Sequence, residues 1–239
     1  MDMRVILTGH SKGMGAGLAA AFSRRDLPVL GLSRNALATA LPGVHEIALD
    51  LADTGALLNW LAGGALAEFC APAGQVLLVN NAGVVTPIAP AGRQPGADIA
   101  RAVALNVTAP LLLSDALNRA APQARRRIAH ISSGAGRKPY PGWSIYCATK
   151  AALDMHAQAV AADAIPGLSI TSIAPGVIDT AMQGNIRSSA PADFPLLDKF
   201  QAMKTDGALA SPEEAGEKLA AYFLSDAFGS DLITDIRTL

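Results

Sequence analysis

The chain has 239 residues, 51% of them hydrophobic and 16% charged, with a formal net charge of −1. That length suits one α/β domain with a substantial core and is short for two. The near-neutral balance excludes the broad basic surface of a nucleic-acid or anionic-membrane binder.

Basic residues come three in a row at Arg125-Arg126-Arg127, which reads as a solvated junction ahead of a strand. Cys70 and Cys147 form no recognisable spacing and are expected as reduced thiols, consistent with a cytoplasmic protein. No leader peptide and no long membrane-crossing run is expected.

Strand-like and helical stretches alternate along the chain. Residues 4–7 are a short apolar run of buried-strand type. Thr8-Gly9-His10-Ser11-Lys12-Gly13-Met14-Gly15 follows at once, and residues 16–25 read as a helix. Strand, glycine turn, helix is the setting in which backbone can approach a pyrophosphate and a helix N-terminus can receive its charge. The second strand, 29–32, runs into Ser33-Arg34-Asn35. An acid at this point would hold a ribose 2′-hydroxyl, whereas an arginine accommodates a 2′-phosphate. Arg34, with Lys12 in the glycine turn, therefore predicts NADP; the plain alternative is two exposed basic loop residues.

A third strand, 44–49, ends in Asp50-Leu51, where Asp50 could cap the next helix, although Asp53 or Thr54 could do so equally well. A helix over 54–66 and a strand over 76–79 lead into Asn80-Asn81-Ala82-Gly83. Helices are predicted over 99–105 and 111–120, with Asn106 reading by itself as a helix breaker or cap. The strand 127–131 precedes Ser132-Ser133-Gly134, and a helix over 144–162 carries Tyr146 and Lys150. The strand 168–173 precedes Pro175-Gly176.

Residues 181–207 show no clear strand and carry Pro191, Phe194, Pro195 and Phe200. Such a stretch reads as a substrate-covering lid, or else as a surface excursion with two aromatics tucked into the core. A helix over 212–224 opens with Ser211, Pro212 and Glu214 in a capping-box pattern, and 232–233 is a last short strand. The alternation predicts a single-domain, doubly wound α/β fold: a parallel sheet with helices on both faces.

Tyr146 and Lys150, four apart, share one helix face. A nearby ammonium favours the phenolate, so it is expected to lower the tyrosine pKa toward working pH and make Tyr146 a proton donor and acceptor. Ser133 lies just past a strand C-terminal end, where open parallel sheets bind ligands, and its hydroxyl can donate to a carbonyl oxygen. It could equally be a turn serine bonding its own backbone, and Ser132 stands beside it. His10, His45, His130 and His156 show no metal-ligand spacing and are expected to be structural or at the surface; no metal is predicted. A rival reading exists: Gly9-His10-Ser11-Lys12-Gly13 matches the Gly-x-Ser-x-Gly elbow of serine hydrolases, with Ser11 as nucleophile. The elbow would follow the first strand with no upstream loop to supply a second oxyanion donor.

In order and spacing, these motifs resemble those of the short-chain dehydrogenase/reductase family. Thr8-Gly9-x-x-x-Gly13-x-Gly15 is similar to its cofactor signature, Asn80-Asn81-Ala82-Gly83 to its Asn-Asn-Ala-Gly motif, and Asn106, Ser133, Tyr146 and Lys150 to its catalytic tetrad. The resemblance implies an NADP-dependent oxidoreductase that reduces a ketone or dicarbonyl. In it Ser133 and Tyr146 would bind the carbonyl oxygen, Tyr146 would donate the proton, Lys150 would hold the nicotinamide ribose, and Asn106 would anchor a relay water. The implied cofactor contacts are Gly9, Ser11, Lys12, Gly13, Met14 and Gly15 in the turn, then Ser33, Arg34 and Asn35 at the ribose phosphate. They continue through Asp50 and Leu51 at the adenine, Asn81, Ala82 and Gly83, and Pro175, Gly176, Val177, Ile178 and Thr180 over the nicotinamide. Trp143, Met182, Phe194 and Phe200 would line the substrate pocket with Ser133, or else belong to the core.

Leu32-Ser33-Arg34, Phe200-x(6)-Gly207-x-Leu209-x-x-Pro212 and the ending Asp235-Ile236-Arg237 look similar to the sepiapterin reductase and benzil reductase branch. The family implies a homo-oligomer, dimer or tetramer, acting on a small-molecule carbonyl, with no nucleic-acid or membrane partner. The paired glycine common near the family's last strand is missing, which bears on the tetramer contact. A third reading is an NADP-sensing protein without chemistry; the complete tetrad argues against it.

Overall fold

The computed structural model describes residues 3–239. Among them, seven strands form one parallel sheet: β1 (Met3–Thr8), β2 (Val29–Ser33), β3 (Val44–Ala48), β4 (Gln75–Asn80), β5 (Arg125–Ile131), β6 (Leu168–Ala174) and β7 (Ile233–Asp235). The spatial order is β3-β2-β1-β4-β5-β6-β7. The chain first winds outward from β1 to β3, then returns to the other side of β1 with β4. That reversal leaves a crevice at the C-terminal ends of β1 and β4, the place where such sheets bind ligands.

Parallel neighbours need crossovers, and helices on both faces supply them except between β2 and β3, where residues 34–43 hold no helix. Side chains alternate across each strand. Val5 and Leu7 of β1 join one core with Leu18 and Phe22 of α1 (Gly13–Ser23) and Leu219 and Phe223 of α9 (Pro212–Leu224). Ile6, between them, joins the opposite core with Leu57 of α2 (Thr54–Ala62), Leu66 of α3 (Ala65–Cys70) and Leu113 and Leu117 of α5 (Ala109–Ala120). Ala157 of α6 (Ser144–Ala162) completes that layer. α9 begins with the expected capping box: Glu214 N donates to Ser211 Oγ at 3.1 Å and Ser211 N donates to Glu214 Oε2 at 3.0 Å.

Three expectations need correction. The helix expected over 54–66 is two helices, because Gly64 takes φ +84° between them, a conformation L side chains rarely adopt. The two helices expected around Asn106 are one continuous run: α4 (Gly96–Val103), a π-helical turn (Ala104–Thr108), then α5. By length and composition alone this run, Gly96–Ala120, contains an 18-residue window of mean hydropathy 1.3 and could cross a membrane, a test that core helices also pass. Its α5 part nevertheless lays Leu113 and Leu117 against the sheet.

The stretch 181–207 is not irregular. It folds as α7 (Ala181–Arg187) and α8 (Leu197–Thr205), joined by a loop that carries Phe194. Both helices are too short for their periodicity to stand out from the surrounding prolines. With Trp143, Tyr146 and Val85 they build a third, satellite core from Ile186, Phe194, Leu197 and Phe200.

Candidate active site

A cavity of about 490 Å³ opens at the C-terminal ends of the strands and runs from Arg34 past the glycine turn to Phe200. Its near wall is the turn between β1 and α1. Gly9 has φ +67°, and a Cβ on Gly15 would lie 2.0 Å from Gly9 O, so neither position admits a side chain without remaking the turn. The β4 motif braces it from behind. Thr8 Oγ1 accepts from the backbone N–H groups of Asn81 and Ala82, both at 2.9 Å, and Asn81 Nδ2 donates to Thr8 O at 2.8 Å and Gly9 O at 3.1 Å.

α1 then starts with Lys12 at its N-cap and no side-chain cap, which leaves the N–H groups of its first turn to face the cavity. A dinucleotide pyrophosphate fits this cradle: bare backbone, uncapped N–H donors, and the positive end of the helix dipole.

At the far end of the cradle Arg34 and Asn35 line the cavity, and both are exposed. Neither Arg34 nor Lys12 has an ion-pair partner among the described residues. Asp50 and Leu51 form the adjoining wall. Asp53, not Asp50, caps α2, accepting from Ala56 N at 2.9 Å. Asp50 instead accepts from Ala52 N at 3.0 Å and from Arg101 Nη2 at 3.1 Å. Burial works against its charge, but these donors hold its carboxyl below the usual range.

The chemistry-bearing end is assembled by β5, the 3₁₀ turn after it and α6. Ser133 caps that turn, with its Oγ accepting from Ala135 N at 3.1 Å, and lines the cavity beside Tyr146. The hydroxyl thus serves the turn while its residue borders the cavity. Ser132, buried next to it, donates to Lys150 O at 3.5 Å. Lys150 Nζ donates to Ile131 O at 2.7 Å and sits over the Tyr146 ring, 5.6 Å from its centroid.

The expectation that Lys150 lowers the tyrosine pKa is not met in this geometry. Burial pushes the Tyr146 phenol up to about 12, with the Ser133 hydroxyl pulling the other way, while Lys150 Nζ bonds Ile131 O and lies over the ring face. Burial also pushes the Lys150 ammonium down, to about 8, against the pull of Asp154 one turn along. Asp154 is held by Ser172 Oγ at 2.6 Å and Arg137 Nε at 3.2 Å, and Arg137 Nη2 reaches Thr234 O at 2.9 Å. One buried network therefore ties the turn after Ser133 to the helix of Tyr146 and to β6 and β7.

Asn106 does not line the cavity. It is 1% exposed in the π turn, accepts from Val84 N at 2.9 Å and donates to Val84 O at 2.8 Å and Thr149 Oγ1 at 3.1 Å. Its Oδ1 and Lys150 Nζ both face Gly83, where an added Cβ would meet them at 3.3 and 3.7 Å. π turns inserted in α-helices recur at functional sites, and here one turns the amide toward the strand β4 exit.

On the substrate side, Pro175, Gly176, Val177, Ile178, Thr180, Met182, Trp143 and Phe200 all border the cavity. Phe194 does not. It is 0% exposed and stacks behind Trp143, with ring centroids 4.8 Å apart and an interplanar angle of 14°. Tyr140, Met203 and Arg237 line the same end and were not foreseen as site residues. Arg237 lies within the ending that carried the branch resemblance, and that was the one signal for it in the sequence.

Ser11 lines the cavity, but none of the histidine hydrogen bonds among the described residues involves it. His10, its neighbour, is buried and bonded to Glu46, so the hydrolase reading has no base at Ser11. His130 is buried between Asn80 and His156 and pushed down to about 3, chiefly by burial. No group of three potential metal ligands occurs among the described residues.

Residues 3–191 match the family described as short chain dehydrogenase. The chain is similar to a benzil reductase ((S)-benzoin forming) of Bacillus cereus, 33% identical over 236 residues and covering 94% of this chain and 95% of that protein. It is also similar to the sepiapterin reductase of Mus musculus, 31% identical and covering 96% and 95%. Among solved structures, a short-chain dehydrogenase/reductase from Burkholderia vietnamiensis is 46% identical, covers 100% of this chain and 98% of that one, and superposes with a TM-score of 0.72.

Proposed function

Since the chain belongs to the short-chain dehydrogenase family and is an oxidoreductase, we propose that it is an NADP-dependent reductase of ketones or dicarbonyls, with Tyr146 as proton donor. One observation carries this reading. A single cavity joins the uncapped N-terminus of α1, the cations Lys12 and Arg34, which have no ion-pair partner among the described residues, and the Ser133, Tyr146 and Lys150 cluster. Lys12 and Arg34 would hold the 2′-phosphate, and Lys150 the nicotinamide ribose. When bound, the reduced nicotinamide supplies a hydride to the carbonyl carbon.

Ser133 and Tyr146 receive the carbonyl oxygen as it gains charge. Burial keeps the phenol protonated at neutral pH, so the proton stands ready at the oxygen where negative charge develops. Reduction draws on the phenol, and the reverse reaction on the phenolate. The apolar wall of Trp143, Met182 and Phe200 suits an aromatic ketone or a diketone of the kind the benzil reductase relative is named for.

The test is a carbonyl panel with NADPH, read by loss of cofactor absorbance, on the unmutated protein and on Tyr146→Phe. The variant is expected to bind NADPH nearly as well, by fluorescence titration, and to turn over negligibly. Substantial turnover by the variant would remove Tyr146 from its role.

A further inference from the structure

His10 stands inside the glycine turn, yet it is 0% exposed and faces away from the cavity. Its ring lies over Gly31 of β2, where a Cβ would come within 2.6 Å of the imidazole Cγ and Nδ1. Gly31 is thus the opening that admits the ring. In register beside Gly31 on the edge strand is Glu46. His10 Nε2 lies 2.7 Å from Glu46 Oε2, and the same carboxylate oxygen accepts from Leu37 N at 2.7 Å.

Leu37 closes the loop that leaves β2 through Ser33, Arg34 and Asn35. At its other end that loop is pinned by Ser33 Oγ donating to Asn35 O at 2.5 Å. Glu46 therefore bonds the glycine turn and the Arg34 loop at one oxygen. Burial disfavours its charge, but His10 and the Leu37 N–H outweigh that and hold its carboxyl below the ordinary value.

We propose that His10 and Glu46 are positioning residues for cofactor choice: they lock the 34–37 loop to the pyrophosphate turn, so that the Arg34 guanidinium is already in place for an adenosine 2′-phosphate. The proposal rests on the reading of Arg34 as the 2′-phosphate contact. Neither residue borders the cavity. Arg34 is long and exposed, and its contribution depends on how much loop freedom is lost on binding. A loop already tied by a charge-assisted bond loses less.

The carboxylate is also a negative charge near the phosphate site, so simple deletion would mix two opposite effects. Two neutral replacements separate them. Glu46→Gln keeps an acceptor for Leu37 N, whereas Glu46→Leu has a similar size and no acceptor. Binding of adenosine 2′,5′-bisphosphate and of adenosine 5′-monophosphate, two unreactive fragments, is measured by calorimetry on both variants and on the unmutated protein, with a thermal melt to confirm folding. Glu46 lies on the edge strand β3 with its side chain 24% exposed; should the leucine variant not fold, Glu46→Val replaces it.

The bisphosphate is expected to bind Glu46→Leu about fivefold more weakly than Glu46→Gln, the size of one net hydrogen bond, while the monophosphate binds both alike. Equal bisphosphate affinities would overturn the proposal, and so would equal losses for both fragments, which mean general loosening of the turn. An unmutated protein that binds the two fragments equally would instead overturn the Arg34 reading, and this proposal with it.

Discussion

Phe194 and Phe200 lie six residues apart in one segment, and the structure gives them different work. Phe194 is 0% exposed and stacked on Trp143; Phe200 is 7% exposed and borders the cavity. Phe194→Ala removes a ring from between Trp143, at 4.8 Å, and Phe200, at 5.4 Å, in the satellite core beneath α7 and α8. A fully buried Phe→Ala change costs about 3–5 kcal/mol, because transfer energy is lost and the cavity left behind collapses only in part. For a domain of this size each kcal/mol lowers the melting temperature by about 2–4 °C, so a drop of roughly 6–20 °C is expected.

The satellite core is a cluster separate from the two sheet cores, so its loss is expected to open α7 and α8 first. Melting followed by both circular dichroism and Trp143-sensitive fluorescence would show this as two non-coincident transitions. Phe200→Ala leaves the Phe194–Trp143 stack in place and widens the cavity. Its main effect is expected on the Michaelis constant for a bulky aromatic ketone, raised about tenfold, as for about 1.4 kcal/mol of lost pocket contact. A Phe194→Ala protein that melts within a degree or two of the parent would refute the division of roles. So would a Phe200→Ala protein with unchanged kinetics and a large loss of stability.

Two more changes probe the charges of the site. Asp154→Asn removes the group that supports the buried Lys150 ammonium, which stands at about 8 and is faced by His130 and the Tyr146 ring as well as by Asp154. On the proposed mechanism Lys150 acts as an ammonium, so rate is present below its pKa and lost as pH rises through it. In the variant the alkaline limb of kcat/KM should move to lower pH, and a limb that stays in place would show that Asp154 acts on packing alone. Arg34→Asp sets a like charge against a 2′-phosphate and offers an acceptor to a ribose hydroxyl. NADPH affinity should fall at least about tenfold, as for a lost charge-assisted hydrogen bond, with NADH gaining relative to it; fluorescence titration of both cofactors checks this, and an unchanged ratio removes Arg34 from cofactor choice.

The parts of the fold legible in the sequence were those set by local signals repeated along the chain. Strands β1, β2 and β4 are built on apolar runs, and the motifs at the strands' C-terminal ends converge because all the strands point one way. That is why Gly13, Asn81, Ser133 and Gly176, far apart in sequence, border one cavity. What the sequence hid depends on tertiary context. α7 and α8 are held by Trp143 and Phe194 rather than by periodicity of their own. Asn106 looked like a helix end because a breaker residue is indistinguishable, in sequence, from a residue at a π turn inside a continuous helix.

The Tyr146 and Lys150 pair makes the same point about chemistry. Spacing puts the two on one face of α6, and from spacing alone the ammonium should acidify the phenol. The sign of the perturbation depends instead on burial and on where Nζ is aimed. Both groups are sealed between α6, the turn after β5 and the satellite core, and Nζ is turned to Ile131 O. The phenol is therefore held protonated and the ammonium made easier to deprotonate. On the proposed mechanism, such a site has its proton on the tyrosine and its limiting titration on the lysine. The pH dependence of carbonyl reduction should accordingly report Lys150 and its support from Asp154, while Tyr146 remains a donor throughout the neutral range.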